Sequence, residues 1–159
     1  MKKIIGIMGP SKVTEADVKN AYEIGKYCAA KGWVVLTGGR NCGVMNAGLQ
    51  GAKDAGGLTV GVLFDNNEKN SEYIDIAIRP NIGEARNLIN ANSSDILVAC
   101  GISAGTSTEV GFAVQSGKKV ILVGLYDEAN AFYRKMGKEQ VFIAEGYKEA
   151  CEIVDLHSN

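Results

Sequence analysis

Apolar residues in this chain fall into short unbroken blocks, separated by longer stretches where they recur every three or four positions. The blocks at 3–8, 33–37, 58–64, 95–100, 119–124 and 140–144 read as strands buried on both faces. The periodic stretches at 14–31, 44–55, 83–92, 105–117, 127–136 and 147–156 read as helices. Thr14 is an N-cap, with Asp17 three residues on as a capping-box acid. Val18, Ala21, Tyr22, Ile24, Gly25 and Cys28 are expected on the core side of that first helix, and Gly32 ends it. Residues 74–79 alternate and predict a further short strand. The polar stretch 65–73 has no period and reads as a loop. Asp95 is expected to start its strand and to hydrogen-bond locally.

Strand and helix alternate from end to end, which demands a parallel sheet with right-handed crossovers. With no linker or repeat, residues 1–159 form one domain of α/β class, a Rossmann-like doubly wound parallel sheet. Ligands of such sheets sit beyond the carboxyl ends of the strands. The turns 9–12, 38–43 and 101–106 all leave strand ends and carry small residues, so all three belong on that edge.

Composition narrows the partners. A net charge of -1 excludes a basic nucleic-acid surface. No apolar run approaches a membrane span, and Met1 leads almost directly into a strand, without the longer apolar segment of a signal peptide. The expected location is cytoplasmic. The four cysteines, Cys28, Cys42, Cys100 and Cys151, form no C-x-x-C pair, and His157 is the single histidine. Zinc is therefore not expected, and the cysteines read as reduced thiols in or near the core. His157 reads as a solvated residue near the end of the chain.

The most informative segment is the run from Gly101 to Glu109, Gly-Ile-Ser-Ala-Gly-Thr-Ser-Thr-Glu. It leaves a buried strand and opens a helix. Small residues there let a ligand approach the backbone, and the free N–H groups of the first helical turn favour a phosphate. Glu109 would repel that phosphate unless it serves another part of the ligand. The turn Gly38-Gly39-Arg40-Asn41-Cys42-Gly43 is either a second ligand loop or a tight packing turn; Arg40 favours the first reading, because a guanidinium binds oxyanions in bidentate fashion. Gly9, Ser11 and Lys12 occupy the same edge, although Lys12 alone reads as a solvated side chain. Arg86, at the start of the helix before the third turn, reaches the same crevice together with Asn87.

The residues Gly38-Gly39-Arg40-x-x-Gly43-Val44-Met45 and Arg86…Gly105-Thr106-x-x-Glu109 resemble the superfamily of Lonely Guy-type phosphoribohydrolases, long misnamed lysine decarboxylases. Those enzymes carry G-G-G-x-x-G-L-M and P-G-G-x-G-T-x-x-E and cleave the glycosidic bond of cytokinin riboside 5′-monophosphates. The match is closer to the branch of molybdenum cofactor carrier proteins. It runs through Ile4-Ile5-Gly6-Ile7-Met8-Gly9-Pro10, Leu36-Thr37-Gly38-Gly39-Arg40, residues 51–57 and Ala85-Arg86-Asn87-x-Ile89-Asn90-Ala91, and covers about residues 4–124.

The resemblance implies a Rossmann-like fold, a phosphate at Gly105-Thr106, an Arg86/Glu109 pair in the site, and assembly as a dimer or tetramer. The helices 83–92 and 105–117 are the candidates for that contact. The chain departs from the hydrolases where Ile102 and Ser103 replace two glycines, Arg40 a third, and Asn87 a lysine. These changes weigh against nucleotide hydrolysis. The expected function is therefore carriage of the molybdenum cofactor, a phosphorylated pterin bearing a dithiolene-bound molybdenum oxide, between cofactor-synthesis proteins and molybdenum enzymes. The expected contacts are Gly9, Ser11, Lys12, Gly38, Gly39, Arg40, Gly43, Val44, Met45, Arg86, Asn87, Ser103, Gly105, Thr106 and Glu109. The alternative is a nucleoside 5′-monophosphate phosphoribohydrolase using Arg86 and Glu109.

Overall fold

Among the described residues, seven strands form one sheet in which every neighbouring pair is parallel. The computed structural model describes residues 1–65 and 69–158. The elements are β1 (Ile4–Met8), α1 (Glu15–Ala30), β2 (Val34–Thr37), α2 (Gly43–Asp54), β3 (Thr59–Val62) and β4 (Ile76–Ile78). A 3-10 turn, Gly83–Ala85, leads into α3 (Arg86–Ser93), followed by β5 (Ile96–Cys100), α4 (Ala104–Gln115), β6 (Lys119–Val123), α5 (Asp127–Gly137), a second 3-10 turn (Lys138–Gln140), β7 (Val141–Ala144) and α6 (Tyr147–His157).

Sheet order is β4-β3-β2-β1-β5-β6-β7. The chain winds outward from β1 to β4, then returns to pair β5 with the other side of β1. That reversal is the switch point of a Rossmann-like doubly wound sheet, and it leaves a crevice above the ends of β1 and β5.

The unbroken apolar strands are explained by their two buried faces. Along β5, Ile96, Val98 and Cys100 pack with α1, α2 and α6, while Leu97 and Ala99 pack with α3, α4 and α5. β6 divides in the same way, Ile121 and Val123 to one side and Val120 and Leu122 to the other. On the first face α1 and α2 meet backbone to backbone. A Cβ on Gly25 would stand 2.1 Å from the Gly48 carbonyl oxygen, and one on Gly51 would stand 2.0 Å from that of Tyr22. Any side chain at either position would force the two helices apart.

Several expectations shift by a residue or two. The capping box of Thr14 and Asp17 forms as expected. Val18, however, is 38% exposed; the buried stripe runs through Asp17, Asn20, Ala21, Ile24, Gly25 and Cys28, one helical position away. The strand expected at 74–79 contracts to β4 at the sheet edge, where Ile76 and Ile78 stay exposed. Asp95 does not bond locally: its carboxylate accepts the Ile4 N–H across to β1 at 2.8 Å. His157 is not solvated but half-buried, its ring tilted against Phe142 with centroids 4.4 Å apart. All four cysteines are free thiols, three of them buried.

Candidate functional site

The crevice at the switch point holds a cavity of about 160 Å³ lined by Gly9, Pro10, Ser11, Arg40, Met45, Glu84, Arg86, Asn87, Ser103, Gly105, Thr106 and Glu109. Each wall is a strand end or the helix start that follows it. β1 contributes the Gly9–Pro10–Ser11 turn, β2 leads to Arg40 and Met45, and β5 leads to the first turns of α4. The start of α3 closes the remaining side with Arg86 and Asn87.

The opening of α4 brings hydroxyls and helix-start N–H groups to the cavity wall. Ser103 is its N-cap, and its hydroxyl accepts the Thr106 N–H at 3.3 Å. The hydroxyls of Ser103 and Thr106 lie 3.0 Å apart. Gly105 faces open space: a Cβ there would meet nothing nearer than Asn87 Nδ2 and Ser103 Oγ, both at 3.9 Å. Helix-start N–H groups, hydroxyls and an open glycine are features that favour an anion.

Two arginines take different parts. Arg86 is only 3% exposed. Its Nη1 donates to the carbonyl of Gly38 and, over 2.7 Å, to that of Val62. It thus ties the end of β2 to the end of β3 from beneath the cleft. Arg40 lies at the rim, 3.7 Å from the exposed carboxylate of Glu84. Both guanidinium groups stand over the Phe64 ring, at 5.0 Å for Arg40 and 5.6 Å for Arg86, a cation–π arrangement that holds two like charges near each other.

Glu109 is 7% exposed, and burial pushes its carboxyl up to about 7. Asn90 Nδ2, donating to Glu109 Oε1 over 2.8 Å, and the charge of Arg86 act against that rise, while Glu84 adds to it. A carboxyl of this kind exchanges a proton in the neutral range. Asn87 does not point only at the cleft. Its Nδ2 donates to Thr108 Oγ1 at 2.9 Å and approaches the Gly105 carbonyl at 3.4 Å, joining α3 to the start of α4.

Of the residues that the sequence singles out, the structure gathers Gly9, Ser11, Arg40, Met45, Arg86, Asn87, Ser103, Gly105, Thr106 and Glu109 around one cavity. Gly38, Gly39, Gly43, Val44 and Lys12 lie outside its lining. Gly43 carries φ +57°, and a Cβ on it would stand 2.3 Å from the Pro10 carbonyl oxygen. The neighbouring Val44 is fully buried and donates its N–H to that same carbonyl at 3.3 Å. The start of α2 is thus plugged by the β1 turn, so the 38–43 segment serves packing and delivers Arg40 and Met45.

The described part of the 65–73 loop holds that turn from outside: Ser71 N–H donates to the Gly39 carbonyl at 2.9 Å, and Asn41 N–H to that of Lys69 at 3.0 Å. Residues 66–68 of the expected loop lie outside the described residues. Pro10, Glu84, Phe64 and Asn90 are additions that the sequence pattern did not mark. Asn90 was within reach of the sequence, since it follows Arg86 by four helical positions and so shares its face.

Comparison with known proteins places the chain. It belongs to the SLOG cluster4 family, whose model matches residues 2–151. The structure is similar to the molybdenum cofactor binding protein of the phototrophic bacterium Rippkaea orientalis, at 44% identity and TM-score 0.94, covering 100% of this chain and 99% of that one. It is likewise similar to the molybdenum cofactor carrier protein of Chlamydomonas reinhardtii, at 41% identity and TM-score 0.95, covering 99% of each chain. An uncharacterized protein of Archaeoglobus fulgidus is 39% identical over 116 residues, 73% of this chain and 76% of that protein.

Proposed function

We propose that this SLOG cluster4 chain binds the molybdenum cofactor in the switch-point cleft and carries it from cofactor-synthesis proteins to molybdenum enzymes. The observation that carries the reading is the oxyanion cradle of Ser103, Gly105 and Thr106, facing Arg40 across one cavity. It is supported by end-to-end similarity to proteins described as binding or carrying this cofactor.

The donor set fits the cargo. The phosphate end suits the start of α4, where hydroxyls and helix N–H groups converge. Arg40 at the rim suits the further oxyanions, and Asn87, Ser103 and Glu109 offer polar partners to a pterin edge. The cofactor brings the molybdenum chemistry; the chain's residues bind, orient and shield it. Carriage requires no bond to be made or broken. A cytoplasmic location and a dimer or tetramer built through α3 and α4 belong to the same proposal. Leu88, an exposed apolar side chain of α3, is suited to such a contact, and light scattering measures the stoichiometry.

The test is retention. Cofactor released from a molybdenum enzyme is mixed with the chain, and unbound material is removed by ultrafiltration. Molybdenum and pterin fluorescence should stay with the protein in equal amounts and should reactivate a cofactor-free molybdenum enzyme. Passage of both through the filter, beside a competent carrier that retains them, would overturn the proposal. The buried carboxyl of Glu109 is the feature that favours a glycosidic hydrolase instead. Release of free base from adenosine or isopentenyladenosine monophosphate, abolished by Glu109→Gln, would establish that second reading.

A further inference from the structure

Asn90 is completely buried and does not line the cleft, yet it supplies the hydrogen bond to Glu109, a carboxyl deep in the site. Its own carbonyl oxygen, Oδ1, has no hydrogen-bond partner among the described residues. A buried acceptor without a partner costs free energy. The amide gives it a way to be satisfied. With Glu109 ionised, Nδ2 donates to the carboxylate; with Glu109 protonated, turning the amide over lets Oδ1 accept the carboxyl O–H.

Few side chains serve both states in this way. A lysine or arginine would hold Glu109 ionised. A leucine would favour only the acid, by desolvation.

We infer that Asn90 is a positioning residue that lets Glu109 gain or lose a proton without losing its hydrogen bond, so that capture of an anionic ligand in the cleft is coupled to uptake of a proton. This rests in part on the reading of the cleft as an oxyanion site. The charged groups around Glu109 agree with it. Arg86 at the start of α3 favours the carboxylate, and Glu84 just before α3 opposes it. Arg40, from the turn after β2, lines the same cavity, and Glu128 of α5 lines a separate groove beside Ser107 of α4. The Gly9–Pro10–Ser11 turn of β1 brings no charge, and the facing residues of β5 and β6 are apolar. An incoming dianion at the α4 start adds negative charge beside Glu109 and drives it toward the acid. As pH rises, Glu109 ionises and repels the anion.

The experiment has two arms. In the first, carbon-13 NMR follows the glutamate side chains of the ligand-free chain from acid to alkaline pH, with Glu109→Gln identifying the resonance. The expected result is one carboxyl titrating near neutrality, its midpoint raised by about half a pH unit or more in Asn90→Leu. Asn90→Ala is the second variant, should the leucine disturb folding. In the second arm, sulfate binding is measured by calorimetry, because sulfate stays doubly charged across the neutral range. Affinity should fall by about tenfold between about pH 6 and about pH 8 in the native chain. That fall should vanish in Glu109→Gln and move to higher pH in Asn90→Leu.

A midpoint that Asn90→Leu and Asn90→Ala leave unmoved would overturn the role of Asn90. A sulfate affinity independent of pH would overturn the coupling. Neither arm uses the molybdenum cofactor, so failure of the carrier reading in the retention test leaves both results interpretable.

Discussion

Asn87 Nδ2 donates to Thr108 Oγ1 over 2.9 Å, and the same hydroxyl donates to the Gly105 carbonyl over 2.7 Å. The two bonds pin the first turns of α4 to α3, so the shape of the oxyanion cradle is set by a residue on a different helix. Truncating Asn87 to alanine should cost about 1 kcal/mol of stability and weaken sulfate binding. A double-mutant cycle with Thr108→Ala separates the causes: denaturation should show a coupling of about 1 kcal/mol between the two positions. Additive losses would mean that the contact does not hold the cradle.

The two arginines should separate stability from binding. Arg86 satisfies two backbone carbonyls beneath the cleft, at Gly38 and Val62, and a buried charge-assisted network of this kind is expensive to break. Arg86→Ala should lower unfolding stability by about 3 kcal/mol or more. Arg40 stands at the rim beside an exposed carboxylate, where ion pairs contribute about 1 kcal/mol at most. Arg40→Ala should therefore leave urea unfolding nearly unchanged while weakening anion binding by about tenfold. Equal losses of stability in the two variants would contradict this division of labour.

Glu109 also ties stability to pH. Its folded-state pKa lies near 7 against an ordinary value of 4.5, chiefly through burial. A raised carboxyl contributes stability that is complete below its unfolded value and is lost as pH rises through its folded value. Between about pH 5 and about pH 8 the native chain should lose up to about 3 kcal/mol relative to Glu109→Gln, whose amide does not ionise. Denaturant titrations of both proteins at the two pH values read the difference directly. A gap that stays the same at the two pH values would place Glu109 in the charged form throughout.

Element types were legible in the sequence because the inner strands are unbroken apolar runs, the edge strand β4 lies in an alternating stretch, and each helix carries its stripe. The order of the strands was not, since nothing local says that β5 returns to β1 rather than continuing past β4. The three glycine-bearing turns were placed on the correct edge by the carboxyl-end rule alone. Their roles were less legible. The turn around Gly38–Arg40–Gly43 and the α4 start share small residues, but the first reaches the cavity only through the Arg40 side chain, because the start of its helix is filled by the Pro10 carbonyl. Phe64 and Glu84 fall at the end of an expected strand and in the first turn of an expected helix, where the pattern gives them no distinct role; they enter the site only through tertiary contact with the arginines. Asn90 escaped because its work is done on another side chain rather than on the cavity.

Gly105 offers the sharpest test of the cradle. It sits in the first turn of α4, yet a Cβ there would have no neighbour within 3.9 Å. Alanine at this position therefore meets no steric cost, and helix propensity favours it by about 0.5–1 kcal/mol. Gly105→Ala should unfold at the same or a higher denaturant concentration than the native chain. It should nonetheless bind anions more weakly, because the methyl group projects into the space through which a phosphate approaches the helix N–H groups. Gly38→Ala provides the opposite pattern. Its Cβ would stand 2.9 Å from the Met45 sulfur and 3.2 Å from the Arg86 guanidinium carbon, so both stability and binding should fall. A stable Gly105→Ala chain that binds sulfate as tightly as the native protein would place the ligand elsewhere in the cleft.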